Sequence, residues 1–266
     1  MKTRILSAIV MLIIFVPFLV IGGTPFAILM TLLALMGLYE LIRTRESKKE
    51  FPFLIKVIAY LMTMFFCLSN FKSDVLAYTM DFRVVSFLIF FFLLPLVFIN
   101  DNKKYNLNDA LFLLGSLLFI GFSFNLLILI RNFDLNYAIY LFLITTITDT
   151  FALVTGSLIG RHRLAEKISP KKTVEGLVGG VLMGTFVACM FFYSVIDPSI
   201  SLTNLIVVTL ILSVVGQLGD LVFSSIKRYY DKKDFSHLIP GHGGVLDRFD
   251  SMIFVVLAFV LFLSFL

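Results

Sequence analysis

Apolar residues fall in long blocks along this chain, and polar residues gather in the gaps between them. A membrane-crossing helix needs roughly 20 predominantly apolar residues at about 1.5 Å rise each. Blocks of that kind lie at about 5–22, 24–42, 53–71, 83–100, 109–130, 136–158, 176–196, 203–225 and 251–266, which predicts nine spans. The first two are separated by "GGTP", Gly22 to Pro25, a turn signal. Pro17 and Pro95 lie inside apolar blocks and are expected to kink their helices. The first block follows Lys2 and Arg4, as a secretory signal would. Similar blocks recur along the chain, however, and no small-residue cleavage site precedes a polar domain, so the block reads as the first span. The expected architecture is an all-α polytopic membrane protein. Residues 1–135 would hold about five spans, and residues 136–266 about four spans with two polar cytoplasmic loops.

Composition supports the membrane reading. Hydrophobic residues make up 59% of the 266 residues, charged residues 15%, and the mean hydropathy is +1.01. Soluble domains carry about 25% charged residues. The chain has no Trp, so an aromatic belt would rest on its Phe and Tyr. Cys67 and Cys189 sit in apolar runs and read as small buried hydrophobes.

The cations set the orientation. With the N-terminus inside, 19 of the 22 Lys and Arg fall on the cytoplasmic side, in the segments around Lys2, Arg43–Lys56, Lys103–Lys104, Arg161–Lys172 and Lys227–Arg248. Lys72, Arg83 and Arg131 fall on the other. This asymmetry predicts a cytoplasmic N-terminus and, after nine spans, an outside C-terminus in a cytoplasmic membrane. The net charge of +5 is thus concentrated in short loops against a bilayer, which argues for anionic lipid and against nucleic acid. The loops "RTRESKKEF" and "NDNKKYNLND" show nothing beyond topology and lipid contact.

Three features exceed that explanation. Asp149 and Asp220 lie inside apolar blocks, where an ionised side chain costs about 2.5–3.5 kcal/mol on insertion scales. Gln217, Ser224 and Lys227 share a helical stripe with Asp220. Next, "GRHRLAEKISPKKTVEG" places Ser169-Pro170, which forces extended backbone, before Lys171 and Lys172. Thr173 is expected to cap the helix that follows, giving an anion site at its N-terminus. Gly176, Gly180 and Gly184 then recur every four residues as a close-packing seam. Finally, "KRYYDKKDFSHLIPGHGGVLDRFDS" packs five cations, four acids and two histidines between oily segments. The amides around Gly243 and Gly244 can bend into an anion-binding nest. Asp247 and Asp250, one turn apart near Asp220, suit a hard cation such as Mg²⁺. Cations for phosphate, acids for metal and glycines for backbone amides are the parts of phosphoryl or nucleotidyl transfer, yet no P-loop, kinase Gly-rich loop or nucleophile elbow is present.

The stretch Ser224 to Asp250 resembles the signature of the phosphatidate cytidylyltransferase (CDP-diacylglycerol synthase) family. Ser225, Ile226, Lys227, Arg228, Lys233, Asp234, Ser236, Ile239, Pro240, His242, Gly243, Gly244, Val245, Asp247, Arg248, Phe249 and Asp250 fill its specified positions. Upstream, Asp149, Gly160, Arg161, Ser169, Pro170, Lys171 or Lys172, Thr173, Glu175 and Gly176 are also similar to the family pattern, whereas Ile147-Thr148 and Leu153 stand where the family usually carries aromatics. The resemblance is specific from about residue 140 to 251.

It implies that phosphatidate and CTP give CDP-diacylglycerol and pyrophosphate with Mg²⁺, and that a second cation is an option. On this resemblance Asp220, Asp247, Lys227, Arg228 and His242 are the catalytic set. Lys171, Lys172, Thr173, Ser225, Lys233, Asp234, Gly243, Gly244, Arg248 and Asp149 bind substrate, and Asp220, Asp247 and Asp250 bind metal. The runners-up are a CTP-dependent lipid kinase or a cytidylyltransferase for another lipid phosphate. An ion-coupled transporter fits less well, because the polar groups cluster at one membrane face. The assembly stays open, a homodimer included.

Overall fold

The computed structural model describes residues 2–69, 82–99 and 104–263; Lys72 and Lys103 of the charge pattern lie outside them. The chain packs as two compact units, Met1–Phe133 with Asp234–Leu246, and Asp134–Lys233 with Asp247–Leu266.

The first unit carries α1 (Lys2–Ile21), α2 (Gly23–Glu46), α3 (Phe53–Leu68), α4 (Phe82–Leu93), α5 (Pro95–Phe98) and α6 (Leu107–Phe133). α6 packs against α2 and α3. Gly22 makes the corner between α1 and α2 at φ 67°, a left-handed conformation that glycine adopts without strain. Pro95 separates α4 from α5, so the expected kink is a break. The basic end of α2 does more than face lipid. Arg45 donates to Asp109 Oδ1 at 2.9 Å and Lys49 donates to Oδ2, while Asp109 itself is buried at the start of α6. That cluster ties two helix ends together and was not legible as more than topology.

The second unit carries α7 (Leu135–Ile159), strands β1 (Arg163–Ala165) and β2 (Ser169–Thr173), α8 (Val174–Phe191) with a π-helical turn to Ile196, α9 (Leu202–Tyr229) and, from Asp247 on, α10 (Leu246–Phe262), whose first residue belongs to the first unit. The two strands form an antiparallel hairpin that pairs Arg163 with Thr173. It is a departure from the all-α expectation. Ser169-Pro170 is extended as expected, and Thr173 accepts a bond from Gly176 N–H at 3.1 Å, capping α8. The glycine seam also forms: a Cβ on Gly180 would stand 2.5 Å from the Thr148 carbonyl oxygen, and one on Gly176 2.6 Å from that of Ala152. Their absence lets α8 lie directly on α7.

Among the described residues, five helices are long and apolar enough to cross a membrane: Gly23–Glu46, Leu107–Phe133, Leu135–Ile159, Val174–Ile196 and Leu202–Tyr229. The remaining apolar stretches are helical but shorter, with Leu6–Ile21, Phe53–Leu68 and Ile89–Phe98 among them, and α10 has 17 residues. Large apolar side chains such as Leu153, Leu158, Leu182 and Phe186 stand on the outside of α7 and α8. That is the surface of a protein solvated by lipid.

Candidate active site

In the second unit, Lys172 at the end of β2 joins residues far apart in sequence. Its ammonium lies 2.7 Å from Asp220 Oδ2 on α9 and donates to Gln217 Oε1 at 3.1 Å. The amide nitrogen of Gln217 donates to Asp149 Oδ1 on α7 at 2.6 Å. Asp149 Oδ2 accepts from Ser251 on α10 at 3.4 Å, and Asp220 Oδ1 accepts from Ser224 at 3.2 Å. Gln217 is the pivot of this network. It presents an acceptor to an ammonium and a donor to a carboxylate, as the two ends of an amide can. The sequence placed Gln217 on the polar stripe of α9 and gave it no further role.

A second pair is more deeply enclosed. Lys227 Nζ is 2.7 Å from Asp247 Oδ1, and their side chains are only 9% and 4% exposed. α9 continues to Tyr229, so Lys227 and Arg228 are helical, beyond the expected end near residue 225. α10 begins at Leu246, earlier than the expected 251, and its first turn carries Asp247, Arg248 and Asp250. Glycine allows α9 and α10 to meet closely: a Cβ on Gly219 would stand 2.7 Å from Phe254 Cβ, and one on Gly216 2.9 Å from Val255 Cγ2. Asp250, whose carboxylate accepts from Ser251 N–H at 2.8 Å, lies within charge reach of Asp220, Lys227 and Asp149.

Of the other candidates in this unit, Arg228 ties the hairpin to α9. It donates to the Ile168 carbonyl at 3.2 Å and to that of Lys232 at 2.9 Å. Glu175 closes the opposite end of the hairpin, accepting from Arg161 N–H at 3.0 Å and pairing with the His162 ring at 2.6 Å. Thr173 is buried and its hydroxyl serves the cap. Lys171, Ser225, Lys233 and Arg248 are exposed.

The remaining candidates, Asp234, His242, Gly243 and Gly244, belong to the first unit. There the signature loop is a tight turn, with Ile239 N–H bonded to Gly243 O and His242 N–H to Ile239 O, both at 2.9 Å. Gly241 and Gly243 take φ 78° and 83°, which excludes most other residues. His242 is half-buried, with Nδ1 2.7 Å from Ser7 Oγ of α1. The turn does bind an anion, and that anion is Glu40 of α2. Its Oε1 accepts from Val245 N–H at 2.8 Å and from Ser236 Oγ at 2.5 Å, and its Oε2 from Leu246 N–H at 2.9 Å. The sequence signal for Glu40 was present: it is an acid in the apolar run "LMGLYELI".

Among the described residues, no three His, Cys, Asp or Glu side chains converge as a ready cage. Asp149, Asp220, Asp247 and Asp250 lie near the two ammoniums of Lys172 and Lys227, four carboxyls to two cations. Mg²⁺ is commonly held by one or two carboxylates plus substrate phosphates, and this donor set fits that pattern.

The sequence model of the Cytidylyltransferase family matches residues 2–266. The chain is 37% identical over 257 residues to a protein of Staphylococcus haemolyticus (strain JCSC1435), with 96% of each chain covered, and 38% identical to one of Staphylococcus saprophyticus over the same span and coverage. A Staphylococcus aureus (strain COL) protein is 37% identical, again over 96% of both chains. All three relatives are named phosphatidate cytidylyltransferase.

Proposed function

The chain belongs to the cytidylyltransferase family, and from that membership we infer that it converts phosphatidate and CTP to CDP-diacylglycerol and pyrophosphate. The observation that carries this reading is similarity along 96% of the chain to relatives named for that activity, with every specified signature position filled.

A phosphate oxygen of phosphatidate attacks the α-phosphorus of CTP, a new P–O bond forms, and the bond to pyrophosphate breaks. The nucleophile is already anionic, so no strong protein base is required. The work of the protein is to bring two polyanions together and to offset charge on the leaving group. Exposed Lys171, Lys233 and Arg248 receive the polyphosphate, and Lys172 and Lys227 exchange part of their hold on Asp220 and Asp247 for phosphate oxygens. Asp220 and Asp247 would hold Mg²⁺, with Asp250 either a third ligand or the partner of Arg248. When bound, the ion neutralises charge on the transferring phosphates. Asp149 supports Lys172 through Gln217 or serves a second cation. Nine spans in the cytoplasmic membrane, with the N-terminus and the reaction at the cytoplasmic face, complete the proposal.

The full-length protein with labelled CTP and phosphatidate should yield lipid-linked CMP and an equal amount of pyrophosphate. A lipid alcohol that becomes phosphorylated with release of CDP would instead identify a kinase, and absence of pyrophosphate with every lipid phosphate tried would exclude the reaction. A cysteine at exposed His237, beside Ser236, should resist a membrane-impermeant thiol reagent added to intact cells. Ready labelling there would reverse the orientation.

A further inference from the structure

We propose that Glu40 is a positioning residue, a built-in anion that holds the signature loop and the start of α10 in their working conformation. The inference rests on the transferase reading above. Glu40 is 0% exposed, and burying a carboxylate is tolerated only when its oxygens are fully engaged. Here Ser236 Oγ and Val245 N–H reach one oxygen and Leu246 N–H the other. Leu246 is the first residue of α10, so the carboxylate also lies at the positive end of that helix.

The surroundings are built around this group. A Cβ on Gly244 would collide with the Glu40 carboxylate, so the second glycine of the pair makes room for it. One turn earlier on α2, a Cβ on Gly37 would come within 3.0 Å of Leu246 Cδ2. Gly37 and Gly244 together admit the close approach that the three hydrogen bonds require. The chemistry also demands an acid. Both oxygens accept from N–H or O–H groups, so an amide in the same place would turn its NH₂ toward a donor.

The turn therefore arrives with its own anion at the amides of Val245 and Leu246, and substrate phosphate is left to the lysines and arginines. His242, Gly243 and Gly244 lie in this same turn, so whatever fixes Val245 and Leu246 fixes their backbone as well.

The test uses the full-length protein in its membrane or detergent environment. Glu40→Gln is isosteric. Misplacement of reacting groups by about 1 Å costs about 100-fold, so its kcat should fall by about that factor while the KM for CTP stays within about twofold. Glu40→Ala should regain turnover in the presence of formate, which leaves the wild type unchanged. Ser236→Ala removes one donor and no charge, and should lower kcat by about fivefold. Amide exchange of segment 236–246 should rise in Glu40→Gln. If Glu40→Gln and Ser236→Ala both turn over at the wild-type rate, the inference is overturned. It is equally overturned if Glu40→Gln raises KM for CTP with kcat intact, because the turn would then bind substrate directly. A wild-type protein that makes no lipid-linked CMP would sink the transferase reading instead, and unchanged amide exchange in Glu40→Gln would then sink the positioning role separately.

Discussion

Asp220→Asn lowers cytidylyl transfer by about 1,000-fold, the scale set by removing a charge that stabilises the transferring phosphates, while the protein still inserts and purifies normally. The amide keeps the shape of the side chain and the contact with Ser224. Lys172 loses its counterion yet keeps Gln217 Oε1 at 3.1 Å. Lys172 and Asp220 are 20% and 26% exposed, a more open pair than the enclosed Lys227–Asp247, so breaking it should cost less stability. Thermal stability should therefore move little while turnover collapses. Initial rates at several Mg²⁺ concentrations check both halves. Near-normal turnover with unchanged Mg²⁺ dependence in Asp220→Asn and in Asp247→Asn would make these acids structural.

Lys227→Met has a different signature. From the sequence, this substitution is expected to weaken CTP use and leave folding intact. The enclosure of the pair changes that expectation. Removing the lysine leaves Asp247 buried beside a thioether, and breaking a buried pair costs about 3–5 kcal/mol. The unfolding transition should shift down markedly and activity should fall with it. Lys227→Met combined with Asp247→Asn removes the stranded charge, so it should recover most of the lost stability and none of the lost turnover. Equal unfolding temperatures for Lys227→Met and wild type would show that water reaches the pair and that the lysine is purely functional.

Much of this molecule was readable before any coordinate. Each predicted span whose residues are described is helical, because long apolar blocks in lipid must satisfy their own backbone. The cap at Thr173, the extended Ser169-Pro170 and the glycine seam follow from local chemistry and were legible as such. The hairpin was not, since strands as short as Arg163–Ala165 carry no alternation to detect. Nor could the partners of the acids be read. The sequence grouped Asp220 with Asp247 as ligands of one cation. It did not signal that each also pairs with its own lysine, one 48 residues before and one 20 residues before in the chain. Asp109 and Glu40 are inconspicuous in the sequence for a related reason. A single acid near a run of cations looks like head-group chemistry until the fold shows what encloses it.

The bond from Glu40 to Leu246 spans 206 residues, and this separation orders events during biosynthesis. α2 emerges from the ribosome and meets the membrane long before its hydrogen-bond donors have been translated. Until then it carries, near its C-terminal end, an acid whose backbone donors have not yet been made. The last part of the chain to be made is therefore the part that relieves one of the first. A chain halted before Val245 therefore lacks both backbone donors to the acid of its second helix.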